Sequence, residues 1–191
     1  MQVTVPPGET TVSAVQGLTT PEATATVRVE SGETTEVVLD LSPVWNAGGA
    51  GWASADHHFH LNYGGPYVLA PSDLQADMRG ENLDIGSPLL ANLHDRFLDQ
   101  HLWGYEDDPE PPIIEFGQEI RSHFLGHLKL LGTDDLFWPW VWGPYYQVYG
   151  DDDRTNAQAL KHAHQQGALG GYVHPVVVRD AFTEKGARTV P

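Results

Sequence analysis

Apolar and polar residues alternate with a period of two in two stretches near the start of the chain, Ala23 to Val29 and Glu33 to Leu41. Successive side chains of an extended chain point to opposite faces, so this period predicts half-buried strands. Turn residues punctuate the region at Pro6-Pro7-Gly8, Thr20-Pro21 and Ser31-Gly32. The pattern reads as about three or four strands of a small sheet or part of a β-sandwich. Asn46 to Gly51 is a glycine-rich joint. Residues 1–48 are therefore expected to form a small β-strand leader, and residues 49–191 a second unit.

From Gly51 the pattern changes. Gly51 to His60 reads as a strand running into a loop. Pro71 to Asn82 reads as a short helix, with Pro71 in its first turn and Ser72 and Asp73 near its N-terminus. A helix is also expected around Leu89 to Leu102, followed by the acidic, proline-rich stretch from Glu106 to Pro112. Ile113 to Phe116 and His127 to Leu131 read as short buried strands, and residues 133–153 as an aromatic-rich loop. Thr155 to Gln166 reads as a helix with Asp151, Asp152 and Asp153 near its positive end, stopped by Gly167. Gly171 to Pro175 is the next expected strand. Strand, helix and strand at this spacing predict an α/β unit with parallel strands.

Composition bounds the chemistry. The chain has 191 residues, 40% of them hydrophobic, with 6 Trp, 7 Tyr and 6 Phe, which suits a folded domain with a real core. It has no cysteine, which excludes disulfides, thiolate zinc sites and cysteine nucleophiles. The net charge is −16, from 26 acidic against 10 basic residues. Such a surface repels phosphate backbones and anionic lipid, so no nucleic acid and no membrane is expected as a partner. The same excess equally serves solubility, or offsets a bound cation. No apolar run approaches the ~20 residues of a membrane span, and the first residues have no leader pattern. The chain reads as soluble, with its compartment open. It lacks a Gly-x-Ser-x-Gly elbow and a phosphate-binding glycine loop, which lowers nucleophilic serine chemistry and nucleotide hydrolysis.

All 10 histidines lie beyond Gly51, and the densest cluster is Asp56-His57-His58-Phe59-His60. On a strand, His58 and His60 share a face and can present imidazoles to one cation. Asp56 lies on that face and can bind metal or orient a histidine; Asn62 is grouped with it as a supporting residue. His57 faces away. Taken alone, a His-x-His pair is more often an ordinary pair of histidines than a metal site. Context strengthens it. Glu119 is expected near the end of one strand, His127 at the mouth of the next and His174 at the end of a third. Strand ends converge on one face in parallel α/β folds, so His58, His60, Glu119, His127 and His174 are expected in one pocket.

Asp56-x-His58-x-His60 followed by Leu61-Asn62-Tyr63-Gly64-Gly65 resembles the first motif of the PHP metallohydrolases, the polymerase and histidinol phosphatase superfamily. The resemblance is greatest to the branch that includes carbaryl hydrolase, which cleaves carbamates and amides. Gly117-Gln118-Glu119 through Gly126-His127-Leu128, and Gln166-Gly167-Ala168-Leu169 through His174-Pro175, are similar to the branch's next motifs in the same order. The similarity spans about residues 51 to 176, and the Thr/Val-rich leader resembles the small β-domain often found ahead of it.

The resemblance implies a partial distorted (β/α)7 PHP-type barrel behind a small all-β segment. It implies that His58 and His60 hold one cation, that Glu119 bridges two, and that His127 and His174 hold the second. The expected cofactor is one or two divalent ions, zinc first, with manganese or iron as alternatives. The expected activity is metal-dependent hydrolysis of an ester, amide or carbamate in a small-molecule substrate. The alternatives are a phosphoesterase of the same superfamily and a truncated, non-catalytic metal-binding relic. The family's final Asp comes well after its His-Pro motif, whereas this chain stops at Pro191. The sequence therefore reads as the first part of such a domain, and open strand edges predict self-association.

Arg121 and His123, between two of these ligands, are candidates to polarise a carbonyl or donate a proton, and are equally readable as ordinary polar residues. The aromatic run from Phe137 to Tyr146 suits either an apolar pocket wall or, slightly favoured, a packed loop over the core. His162 and His164 are expected to face solvent, while His94 and His101 have no assigned role.

Overall fold

The structure is a computed structural model and describes residues 2–64, 66–91, 97–106, 109–122, 125–142 and 154–174. At the start of the chain, Gly8–Gln16 (β1) and Thr20–Val29 (β2) pair antiparallel, with alternate positions half-buried along both strands. The stretch from Glu33 to Leu41 is not a strand. Val37, Leu39 and Leu41 are half-buried while Val38 is 84% exposed, so the period of two is real. Alternation reports one-sided burial, and here it is met without a hydrogen-bonded ladder. The leader is thus a two-stranded hairpin rather than a sheet of three or four strands.

The rest of the described chain is mixed α/β, with a sheet curled into a half-barrel and few helices. In chain order its elements are Ala55–Phe59 (β3), Pro71–Glu81 (α1), Ile85–Leu90 (β4), Ile113–Ile114 (β5), Gly117–Ser122 (β6), Gly126–Leu131 (β7), Val141–Trp142 (β8), Asn156–Gln165 (α2) and Leu169–Tyr172 (β9). The strand order is β3-β4-β6-β7-β9, with β5 added beside β4 and β8 beside β6. β3, β4, β5, β6 and β8 run parallel, but β7 is antiparallel to both β6 and β9. The expected all-parallel unit is corrected here: only three residues separate β6 from β7, and so short a connection permits only a hairpin.

Leu89 and Leu90 belong to β4 and not to a helix, and among the described residues of that stretch the helical part is one short turn at Gln100–Leu102. From Gly86 to Leu90 every residue of β4 is buried, so this central strand carries no alternation to reveal it. Gly86 also meets α1: a Cβ there would lie 2.8 Å from Met78 Sδ. α1 begins with Pro71, and Asp73 accepts a hydrogen bond from Ala70 N at 2.8 Å. Thr155 caps α2 reciprocally with Gln158, whose Oε1 accepts from Thr155 N at 2.7 Å.

The hairpin docks at the end of α1. Gln16 Nε2 donates to Arg79 O at 3.3 Å, and Gly17, at φ +58, approaches so closely that a Cβ would stand 3.0 Å from Glu81 O. Two hydrophobic clusters form the core. One joins Leu74 and Met78 of α1 to Leu90, Ile114, Phe116 and Trp140; the other joins Ala159 and Ala163 of α2 to Ile120, Leu128, Leu130 and Trp142. Among the described residues no helix is long and apolar enough to cross a membrane.

Candidate metal centre

Every residue of β6 is buried, so the period of two decides what each face does. Gln118 and Ile120 face the helix side. Ile120 packs with Trp142 and α2, and Gln118 clamps the Phe137 backbone, accepting from its N at 2.9 Å and donating to its O at 2.8 Å. Glu119 and Arg121 face the other way. The hairpin register sets His127 of β7 opposite Arg121, one diagonal from Glu119. His127 thus enters from the start of an antiparallel strand, while His58 and His60 come from the end of β3 and His174 from just past β9.

The Glu119 carboxylate is the centre of the site, with its side chain only 2% exposed. Its Oε1 lies 2.8 Å from His127 Nδ1, 3.5 Å from His174 Nε2 and 3.9 Å from His58 Nε2. Its Oε2 accepts from Arg121 Nη2 at 2.6 Å and Nε at 3.0 Å, and lies 2.9 Å from His60 Nε2. Burial alone pushes this carboxyl up. The His127 hydrogen bond, the neighbouring His60 and the Arg121 charge outweigh burial, and hold it well below the usual carboxylate range. His58 is held below its ordinary value, chiefly by burial, against the opposing pull of Glu119. Both directions favour a carboxylate and a neutral imidazole, the forms that bind metal.

His58, Glu119 and His174 offer three ligand atoms within 4.8 Å of one another, a group that could hold a metal ion. Donors at 2.0–2.2 Å around a tetrahedral ion stand about 3.4 Å apart, so the observed 3.5 and 3.9 Å need only small adjustments. Two further details fit. His174 sits at φ +33, an uncommon conformation for a residue with a Cβ, at the point where its ring is aimed at Glu119. His60 donates from Nδ1 to Leu89 O at 2.7 Å, the kind of bond that orients an imidazole beside a metal. The five expected ligands therefore share one pocket, but the three-atom group pairs His58 with His174, and not with His60.

The supporting residues act differently from expectation. Asp56 is exposed and accepts from the backbone N of His58 at 2.9 Å, fixing the strand rather than touching an imidazole. Asn62 is buried, donating to Asp99 Oδ1 at 2.6 Å and bonding both ways to the Leu69 backbone. It ties down the loop after β3, because the chain leaves the strand at His60 and the alternation ends there. That turn brings in Tyr63, which the alternation did not single out. Its ring lies 4.8 Å from His60 and 5.6 Å from the Arg121 guanidinium carbon.

His57 turns away, with Nδ1 2.9 Å from Ser87 Oγ, and His101 bonds its own turn at Leu98 O. His162 is not simply solvent-facing: it packs on Phe137 and its Nε2 lies 2.7 Å from Asp135 O, while His164 is exposed. His94 and His123 lie outside the described residues, as do Asp151–Asp153, Pro175 and residues 143–146 of the aromatic run. Of that run, Phe137, Trp140 and Trp142 are buried in the core, and none of its described residues lines the pocket.

The pocket is a cavity of about 370 Å³, lined by His58, His60, His127 and His174 with Tyr63, Glu119 and Arg121. The side chains of His58, His127 and His174 are each about one-third exposed, so the opening lies on their side. No protein-family model, curated protein or solved structure matches this chain.

Proposed function

We propose that this chain is a metal-dependent hydrolase acting on an ester, amide or carbamate in a small molecule. The observation that carries the reading is a buried carboxylate ringed by four imidazoles at the floor of an open cavity. A structural ion pair has no use for several imidazoles around one carboxylate, whereas two histidines and a carboxylate make a metal ligand set. His58, Glu119 and His174 would hold the ion. A divalent ion supplies Lewis acidity and a water nucleophile at neutral pH. Arg121 fixes the plane of the Glu119 carboxylate and turns Oε1 toward the histidines. His127 holds its Nδ1 proton on Oε1, which leaves Nε2 to exchange a proton with a substrate group. A cavity of about 370 Å³ suits a small molecule rather than a polymer.

The resemblance of the three motifs to PHP metallohydrolases supports the same reading, and favours carbamates and amides. A curled half-barrel is compatible with part of a distorted (β/α)7 barrel. Zinc suits the histidines best, with manganese and iron next. The test is metal content by mass spectrometry on protein purified without chelator, with turnover of aryl esters, aryl carbamates and an aryl phosphate. Bound metal lost in His58→Ala, with ester or carbamate turnover, supports the proposal. Preferential turnover of the phosphate would move it to the phosphoesterase alternative. Full metal content and full activity in Glu119→Gln would sink it.

A further inference from the structure

We infer that the site takes a single divalent cation, because the Arg121 guanidinium already occupies the side of Glu119 where a second ion would bind. This rests on the metal-dependent reading above. The two oxygens of Glu119 have different surroundings. Oε1 faces His58 and His174, which with it form the group that could hold an ion, and it accepts from His127 Nδ1. Oε2 is filled by Arg121, which donates to it from both Nε and Nη2. The other Nη2 proton is directed at His60 Nε2, at 3.2 Å. Since His60 Nδ1 is committed to Leu89 O, the only lone pair His60 can offer a metal points at this guanidinium.

Arg121 is not a removable plug. An arginine stays protonated at any working pH, and this one is 6% exposed, with Tyr63 against it. It reaches the spot because β6 sets residues two apart on one face. An ion at about 2.1 Å from Oε2 would stand within about 5 Å of Nη2, a permanent like charge. The bridging role that the PHP resemblance gives Glu119 is therefore replaced: one carboxylate oxygen binds metal and the other binds arginine.

The test is reconstitution of the whole chain with Mn²⁺, reading metal content by mass spectrometry and coupling by electron paramagnetic resonance. Wild type should bind about one equivalent and give the six-line spectrum of an isolated ion. Arg121→Met, which vacates Oε2 and frees His60, should rise toward about two equivalents with an exchange-coupled spectrum. A coupled pair in wild type would overturn the inference and leave the hydrolase reading intact, as would a folded Arg121→Met that still binds one. No metal in wild type would instead sink the reading on which it rests. Should Arg121→Met fail to fold, His60→Ala decides. It should keep its full equivalent while His58→Ala loses it, and loss of the ion from His60→Ala would overturn the inference.

Discussion

Replacing Glu119 by glutamine tests the arrangement at its centre, because the substitution keeps shape and removes charge. Glu119 and Arg121 are 2% and 6% exposed and meet at 2.6 Å, so the substitution strands a buried guanidinium without its counter-charge. Breaking a buried pair from one side costs about 3–5 kcal/mol, because the remaining charge stays desolvated. The hydrogen bond from His127 would weaken as well, from charge-assisted to neutral. We expect metal-free Glu119→Gln to be less stable than wild type by about 3–5 kcal/mol in urea unfolding at pH 7.5 with chelator present. The buried Trp140 and Trp142 report the transition by fluorescence. Glu119→Gln/Arg121→Met should recover much of the loss, since no charge is then left unpaired.

The pH dependence has a definite sign. Glu119 is depressed in the folded chain from an ordinary value of about 4.5, so its stabilisation is fully present above that pH. It is lost progressively as pH falls toward the folded value. Wild type should therefore lose stability below about pH 4.5 more steeply than Glu119→Gln does. A loss under about 1 kcal/mol at pH 7.5, or strictly additive effects in the double variant, would refute the buried-pair argument.

Three further outcomes are expected. In metal-free protein the His58 ring protons should titrate with a midpoint below 6.5 by NMR, since burial favours the neutral ring; a midpoint at or above 6.5 would contradict the packing around it. Gly86→Ala should cost about 1–3 kcal/mol in urea unfolding, because its Cβ would lie 2.8 Å from Met78 Sδ and 2.9 Å from Cε. Pairing it with Met78→Ala should relieve the clash, and strictly additive losses would show that it is not the cause. Gln118→Ala should cost about 2–4 kcal/mol by leaving Phe137 N and O buried without partners. Accelerated amide exchange at Phe137 checks it, and unchanged exchange would place the clamp elsewhere.

What the sequence determined by itself was local. Pro71 and Thr155 mark where two helices begin, since caps are chosen by neighbours a few residues away. The period of two placed His58 and His60 together and predicted β2, and the motif order led to Glu119, His127 and His174. Tertiary structure decided whatever depended on partners distant in sequence. β4 was hidden because a strand covered on both faces has no alternation, and Leu89 lends His60 its orienting carbonyl only once β4 lies beside β3. Asn62 left the site because the chain turns after β3, a bend that the residue pattern does not carry, and Asp56 because its carboxylate is taken by the His58 backbone N. Arg121 is the clearest case. Its spacing from Glu119 was legible, but its role comes from burial beside that carboxylate, where its Nε and Nη2 both donate to one oxygen.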